Sequence, residues 1–243
     1  MRYTGLIACG LALAAACSVT RGAHLDARPY VADGKVMIGT AQLLGGQVVP
    51  TADHHRVFGA ELGADDPDQP FMTEDPGFLA EPGAFPEGAG EFVGFTLLDG
   101  LKGWTGAGFG TVPAGESLQI SRGSQSVTVA DGPVSGYFFA IIDPDGGLHQ
   151  HLTFELLGAD GNPIPNDGVQ PTAGIYLLTV QLHTSLQGVS PSEPFWIVLN
   201  NGDAEENHDL ALDWAARHLA PEPANALAVG AALCLVCRPR GRK

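Results

Sequence analysis

Cysteine is missing from the body of this 243-residue chain. Cys9 and Cys17 stand near the start, Cys234 and Cys237 near the end, and none between. Residues 24–219 can therefore form no disulfide, even in an oxidising compartment. They also offer no thiolate for nucleophilic attack or for a sulfur-ligated metal. Basic charge is scarce as well. Twelve Lys and Arg stand against 27 Asp and Glu, a formal net charge of −15, and much of the basic charge lies in the two end segments. An acidic surface disfavours nucleic acid and anionic membranes and is compatible with cations. The chain has no Gly-x-Ser-x-Gly elbow, no His-Glu-x-x-His pair and no phosphate-binding Gly-rich loop. The expectation is a protein that is not an enzyme.

Long apolar runs are confined to the ends. Arg2 followed by the Ala/Leu-rich run Leu6–Ala16 and small residues up to Ala23 reads as a secretory signal peptide, residues 1–23. Cleavage after Ala23 is imperfect, because Arg21 sits where a small residue is preferred, and cleavage near Ala16 is the other option. At the far end Pro221-Glu222-Pro223 precedes an apolar run, Ala224–Cys237, and then a basic cluster that includes Arg238 and Arg240. A helix over that run is about 21 Å long at about 1.5 Å per residue, short against a hydrocarbon core of about 30 Å. The basic end would stay on the cytoplasmic side. This order of Pro-Glu-Pro, apolar helix and Arg cluster resembles the PEP-CTERM sorting signal. The resemblance implies that residues 220–243 are a transient membrane anchor recognised by an exosortase-type sorting enzyme, and that the protein is exported to the cell surface or outer envelope.

Between the ends, Gly and Pro are abundant, with 33 and 18 residues, and charged residues are few. That composition favours short strands and tight turns. Extended segments are expected at 24–40, with a turn at Asp33-Gly34, and at 42–49. Further ones are expected at 92–98, 117–122, 126–130, 135–142, 149–157, 175–183 and 195–199. Residues 50–91, rich in Asp, Glu, Pro and Gly, read as a long loop anchored by Phe58, Phe71, Phe78 and Phe85. One helix is expected from about Ala204 to His218, with Leu210, Ala211, Trp214 and Ala215 on its apolar face and Glu205 and Glu206 suiting its first turn. The fold class is an all-β sandwich, immunoglobulin-like or jelly-roll, with a C-terminal helix, over residues 24–219.

Histidines are the candidate functional residues. On one strand His149, His151, Thr153 and Glu155 share a face, while Leu152, Phe154 and Leu156 form the other. Two histidines at i and i+2 lie about 6.6 Å apart at Cα, and their rings can converge on one cation. Residues 175–183 show the same division, with His183 on the polar face. If the two strands pair antiparallel, His183 falls opposite His149 and supplies a third nitrogen. His54 and His55 face opposite ways on extended chain, so at most one would join. His24 lies two residues before Asp26. His208 and His218 read as solvated or capping residues of the helix. Two acidic turns, Asp65-Asp66-Pro67-Asp68 and Asp143-Pro144-Asp145-Gly146, match no twelve-residue calcium loop and read as ordinary turns.

His149-x-His151-x-x-Phe154, Ala173-Gly174-Ile175-Tyr176, Glu193-Pro194-Phe195-Trp196-Ile197-Val198 and His24-x-Asp26 followed by Asp33-Gly34-Lys35 resemble a group of zinc-regulated PEP-CTERM surface proteins. They are also similar to the actinobacterial surface-anchored domain, whose genes neighbour metal-type ABC transporters. The resemblance implies zinc as the cofactor, a role in metal capture and a metal ABC transporter as a partner. The competing expectation is a structural or adhesive matrix protein that binds extracellular polysaccharide without metal.

Overall fold

The computed structural model describes residues 25–64, 66–88, 90–113, 115–162 and 169–220. The expected signal peptide (1–23), the expected sorting motif with Pro221, Glu222, Pro223, Arg238 and Arg240, and His24 lie outside the described residues.

Turn chemistry sets the first hairpin. Asp33 and Gly34 both have positive φ, 50° and 71°, which matches the twist of a two-residue hairpin. They return β1 (Asp26–Ala32) onto β2 (Lys35–Leu44) in full antiparallel register, Ala32 opposite Lys35 and Asp26 opposite Ala41. Gly45 and Gly46, again at positive φ, turn β2 into β3 (Gln47–Ala52). The expected long loop at 50–91 is instead interrupted by β4 (Val57–Glu61), β5 (Met72–Thr73) and β6 (Phe78–Ala80). These strands are too short, and too hemmed by Pro and Gly, to show a period in the sequence.

Then follow β7 (Phe92–Leu97), β8 (Lys102–Trp104), β9 (Phe109–Thr111), β10 (Ser117–Arg122), β11 (Gln125–Val129) and β12 (Val134–Ile141). After them come β13 (Leu148–Gln150), β14 (Thr153–Leu157), β15 (Gly174–Thr184), β16 (Phe195–Asn201) and the single described helix, α1 (Glu205–His218). The fold is all-β with one helix, as expected.

The strands form three sheets. One has the order β13-β6-β1-β2-β3, and a second β11-β10-β14-β5. The third runs β12-β7-β15-β16-β4, with β8 on β15 and β9 on β8. The pairs β1–β6 and β16–β4 are parallel, so two of the sheets are mixed. Side chains from all three sheets share one core, among them Ala27, Phe78, Leu118, Phe154, Phe195 and Leu178.

Alternation along β15 sends Tyr176, Leu178, Val180 and Leu182 into that core, and Ile175 and Leu177 to the opposite face. There they meet Ala211 and Ala215 of α1. Strand β16 behaves likewise, with Phe195, Ile197 and Leu199 on the core side and Trp196 and Val198 under the helix. Its unbroken apolar run reflects burial on both faces. A buried charge also finds partners here. Arg28 on β1 donates to Glu81 (2.7 Å from Nε) and to Asp53 (3.1 Å from Nη1). The hydrogen bond from Arg28 holds the Glu81 carboxyl below its ordinary range, against the opposing effect of burial.

Leu178 is fully buried at the centre of the seven-stranded sheet. Leu178→Ala is expected to cost about 2–5 kcal/mol. The check is a fall in the urea midpoint with an unchanged slope.

Candidate functional site

The strand expected at 149–157 breaks at His151-Leu152. His149 sits in β13, opposite Leu79 of β6, in the five-stranded sheet. Thr153 begins β14, which pairs with β10 in the four-stranded sheet. The chain therefore passes from one sheet to another directly after His151, and the face expected to run from His149 to Glu155 is not continuous. The two histidines nonetheless meet. Their Nε2 atoms are 3.3 Å apart, with ring centroids at 5.4 Å.

The surroundings of His151 fix its tautomer. Its Nδ1 lies 3.0 Å from the Glu74 carbonyl oxygen, so Nδ1–H donates there. In the neutral ring Nε2 is then a lone pair aimed at His149. A backbone carbonyl that orients one ring nitrogen and frees the other is the usual support behind a metal-ligating histidine. The spacing fits as well. Two nitrogens at about 2.0–2.1 Å from a tetrahedral ion are about 3.3–3.4 Å apart. Without an ion, the same 3.3 Å is bridged by a hydrogen bond in which a His149 Nε2–H donates to the His151 Nε2 lone pair.

Neighbouring elements converge on the same place. Gln150 of β13 and Ala27 of β1 both pair with Phe78 of β6. Gly77, one residue earlier, donates its N–H to Asp26 Oδ1 at 2.9 Å, and the His151 ring rests over it. The beginning of β1 thus lies beside His151. On the other side, His149 is exposed and lines two open clefts of about 490 and 380 Å³, the first shared with Asp143 and Asp145 and the second with Phe92 and Phe138. Solutes have direct access to His149, while His151 is half-buried behind it.

His183 does not join it. The expected pairing of residues 149–157 with 175–183 is not formed, because β14 pairs with β10 and β5 while β15 lies between β7 and β16. His183 stands opposite Gly94, with its ring edge-on to Phe138 at 5.4 Å. Burial lowers its pKa, which favours a neutral ring packed as an aromatic. His54 is exposed in the link between β3 and β4, and His55 packs edge-on against Phe58 at 5.0 Å. Among the described residues, neither the strand histidines nor His54 and His55 belong to a group of three His, Asp or Glu ligand atoms within 4.8 Å of one another.

One such group exists elsewhere: Glu61, Glu205 and His208. His208 was expected to be solvated, yet it is buried, 4% exposed. The periodicity contained the signal, since His208 precedes the buried Ala211 and Ala215 by three and seven residues on one helix face. Leu210, expected on that face, is instead 57% exposed. His218 does cap the helix end, with Nδ1 donating to the Trp214 carbonyl at 2.8 Å. Among the described residues no helix is long and apolar enough to cross a membrane.

Fold and site together define an all-β protein with a two-histidine pair, His149 on the edge strand β13 and His151 in the link that follows it. Neither a protein-family model nor a curated protein matches the chain.

A Cβ on Gly77 would lie 2.5 Å from His151 Cε1 and 2.8 Å from both ring nitrogens. The obstruction is a side chain that can swing away, so Gly77→Ala is expected to displace the ring with a stability change under about 1 kcal/mol. Shifted His151 ring resonances with a nearly constant denaturation midpoint are the expected result.

Proposed function

We propose that this is an exported, surface-sorted protein that captures a divalent cation, zinc, through His149 and His151. The observation that carries the reading is the 3.3 Å gap between the two Nε2 atoms, together with the Glu74 carbonyl behind His151. The pair supplies two nitrogens of a tetrahedral set. His24, two residues before Asp26 in the sequence, is the candidate for a third, and water or a carboxylate would complete the set. A site without thiolates, open to two clefts, suits an ion that is taken up and passed on, as a scavenger or a donor to a metal transporter would require. The strong negative charge draws cations towards it. The immunoglobulin-like or jelly-roll sandwich and the sorting tail removed by an exosortase-type enzyme belong to the same reading. No catalytic role is assigned.

The test is competition for zinc against a chromophoric chelator, using the purified protein. One zinc per chain is expected. His149→Ala and His151→Ala should each weaken binding by about 10- to 100-fold or more. His24→Ala should weaken it, and His183→Ala should leave it unchanged. Absence of binding at micromolar zinc, or binding indifferent to His149 and His151, would end the proposal.

A further inference from the structure

The second histidine cluster has a different geometry. His208 projects from the first turns of α1 into the angle between that helix and strands β4 and β16. Its Nε2 lies 3.1 Å from the Val198 carbonyl oxygen of β16. Its Nδ1 lies 2.7 Å from Glu61 Oε1 of β4. The Val198 carbonyl takes the Nε2–H, so the nitrogen facing the Glu61 carboxylate is Nδ1, and the imidazolium sets a positive charge against that oxygen as an ion pair. Glu61 Oε1 is shielded from water and accepts no aligned hydrogen bond among the described residues, so the charge of His208 is what balances it. A neutral His208 would set its Nδ1 lone pair against that oxygen, inside a site closed to solvent.

Distance separates a proton from a metal ion here. A nitrogen and an oxygen bound to one tetrahedral cation lie about 3.3 Å apart. A charge-assisted N–H···O bond is about 2.7–2.9 Å. The observed 2.7 Å is that of a close imidazolium–carboxylate ion pair, shorter than a shared cation would set.

We infer that His208 is a proton-operated latch which holds α1 against β4 and β16 while it is charged and loosens the helix when it is not. The groups facing the ring are Glu61 from β4, the Val198 carbonyl from β16, and Glu205 from α1 itself. Burial by itself pulls the pKa of His208 down. The Glu61 carboxylate, the Val198 carbonyl and the charge of Glu205 outweigh it, and the net shift is upward. A raised folded-state pKa means that the latch stabilises fully below the unfolded value of about 6.5 and fades as pH rises through the folded value. The element released is the one that covers Ile175, Leu177, Trp196 and Val198, and from which the Pro221-Glu222-Pro223 segment continues.

Histidine-ring NMR on the full chain, combined with amide hydrogen exchange, tests the latch. The His208 ring should titrate above the ordinary histidine value. Protection of the α1 amides, corrected for intrinsic base catalysis, should fall by up to about tenfold per pH unit above that point. In Glu61→Gln the His208 titration should move down and the pH dependence of α1 protection should flatten. If that variant does not fold, the wild-type titration decides alone. A His208 pKa at or below the ordinary value, or α1 protection independent of pH, would overturn the latch. So would zinc displacing the His208 proton at neutral pH and tightening α1.

Discussion

Burial of β16 on both faces constrains much of the arrangement around it. With Phe195, Ile197 and Leu199 in the main core and Trp196 and Val198 on the opposite side, the strand needs cover above and below. It also needs a partner along each edge, because an unpaired backbone group away from water is costly. Strand β15 supplies one edge and β4, in parallel, the other. The second face is covered by α1, whose small Ala211 and Ala215 let the helix approach closely. Glu61 ends β4 directly under the helix, and the placement of His208 follows from that geometry.

The histidine pair arises from a local failure of regularity. A continuous strand would have separated the His149 and His151 rings along a flat face. Instead β13 ends at Gln150, and the chain leaves for another sheet after His151, which lets the ring lean over Gly77 and donate to the Glu74 carbonyl. A glycine is needed beneath it, since any Cβ there would occupy the ring's place. The short strands β6 and β13 give Phe78, Ala80 and Leu148 to the core and also bring β1, Gly77 and the two histidines close together.

Two histidine clusters on one chain thus differ in geometry and in exposure. At His149 and His151 the contact is nitrogen to nitrogen, at a tetrahedral separation and exposed to solvent. At His208 it is nitrogen to carboxylate, at hydrogen-bond distance and sealed. Exposure suits an ion that must arrive and leave. Enclosure suits a proton that fastens two elements together.

Period and turn chemistry alone were enough for the all-β class, the Asp33-Gly34 hairpin, most strands from Phe92 onward (not β8, β9 or the break after His151) and the span of α1, because each depends on neighbours along the chain. The i, i+2 spacing of His149 and His151 was legible for the same reason, but their ring contact was not, because it depends on β13 ending at Gln150 and on Gly77 and Glu74 being brought beside His151. The strands within 50–91, the separation of His183 from His149 and the burial of His208 were not, because each depends on a segment distant in sequence. Short strands such as β5 and β6 exist only by pairing with β14, β1 and β13. His183 faces Gly94 because β7, not β14, lies beside β15. Whether a helix histidine meets water or a carboxylate is settled by what packs against that face, and Glu61, far upstream of His208, is brought there only by the folded sheet.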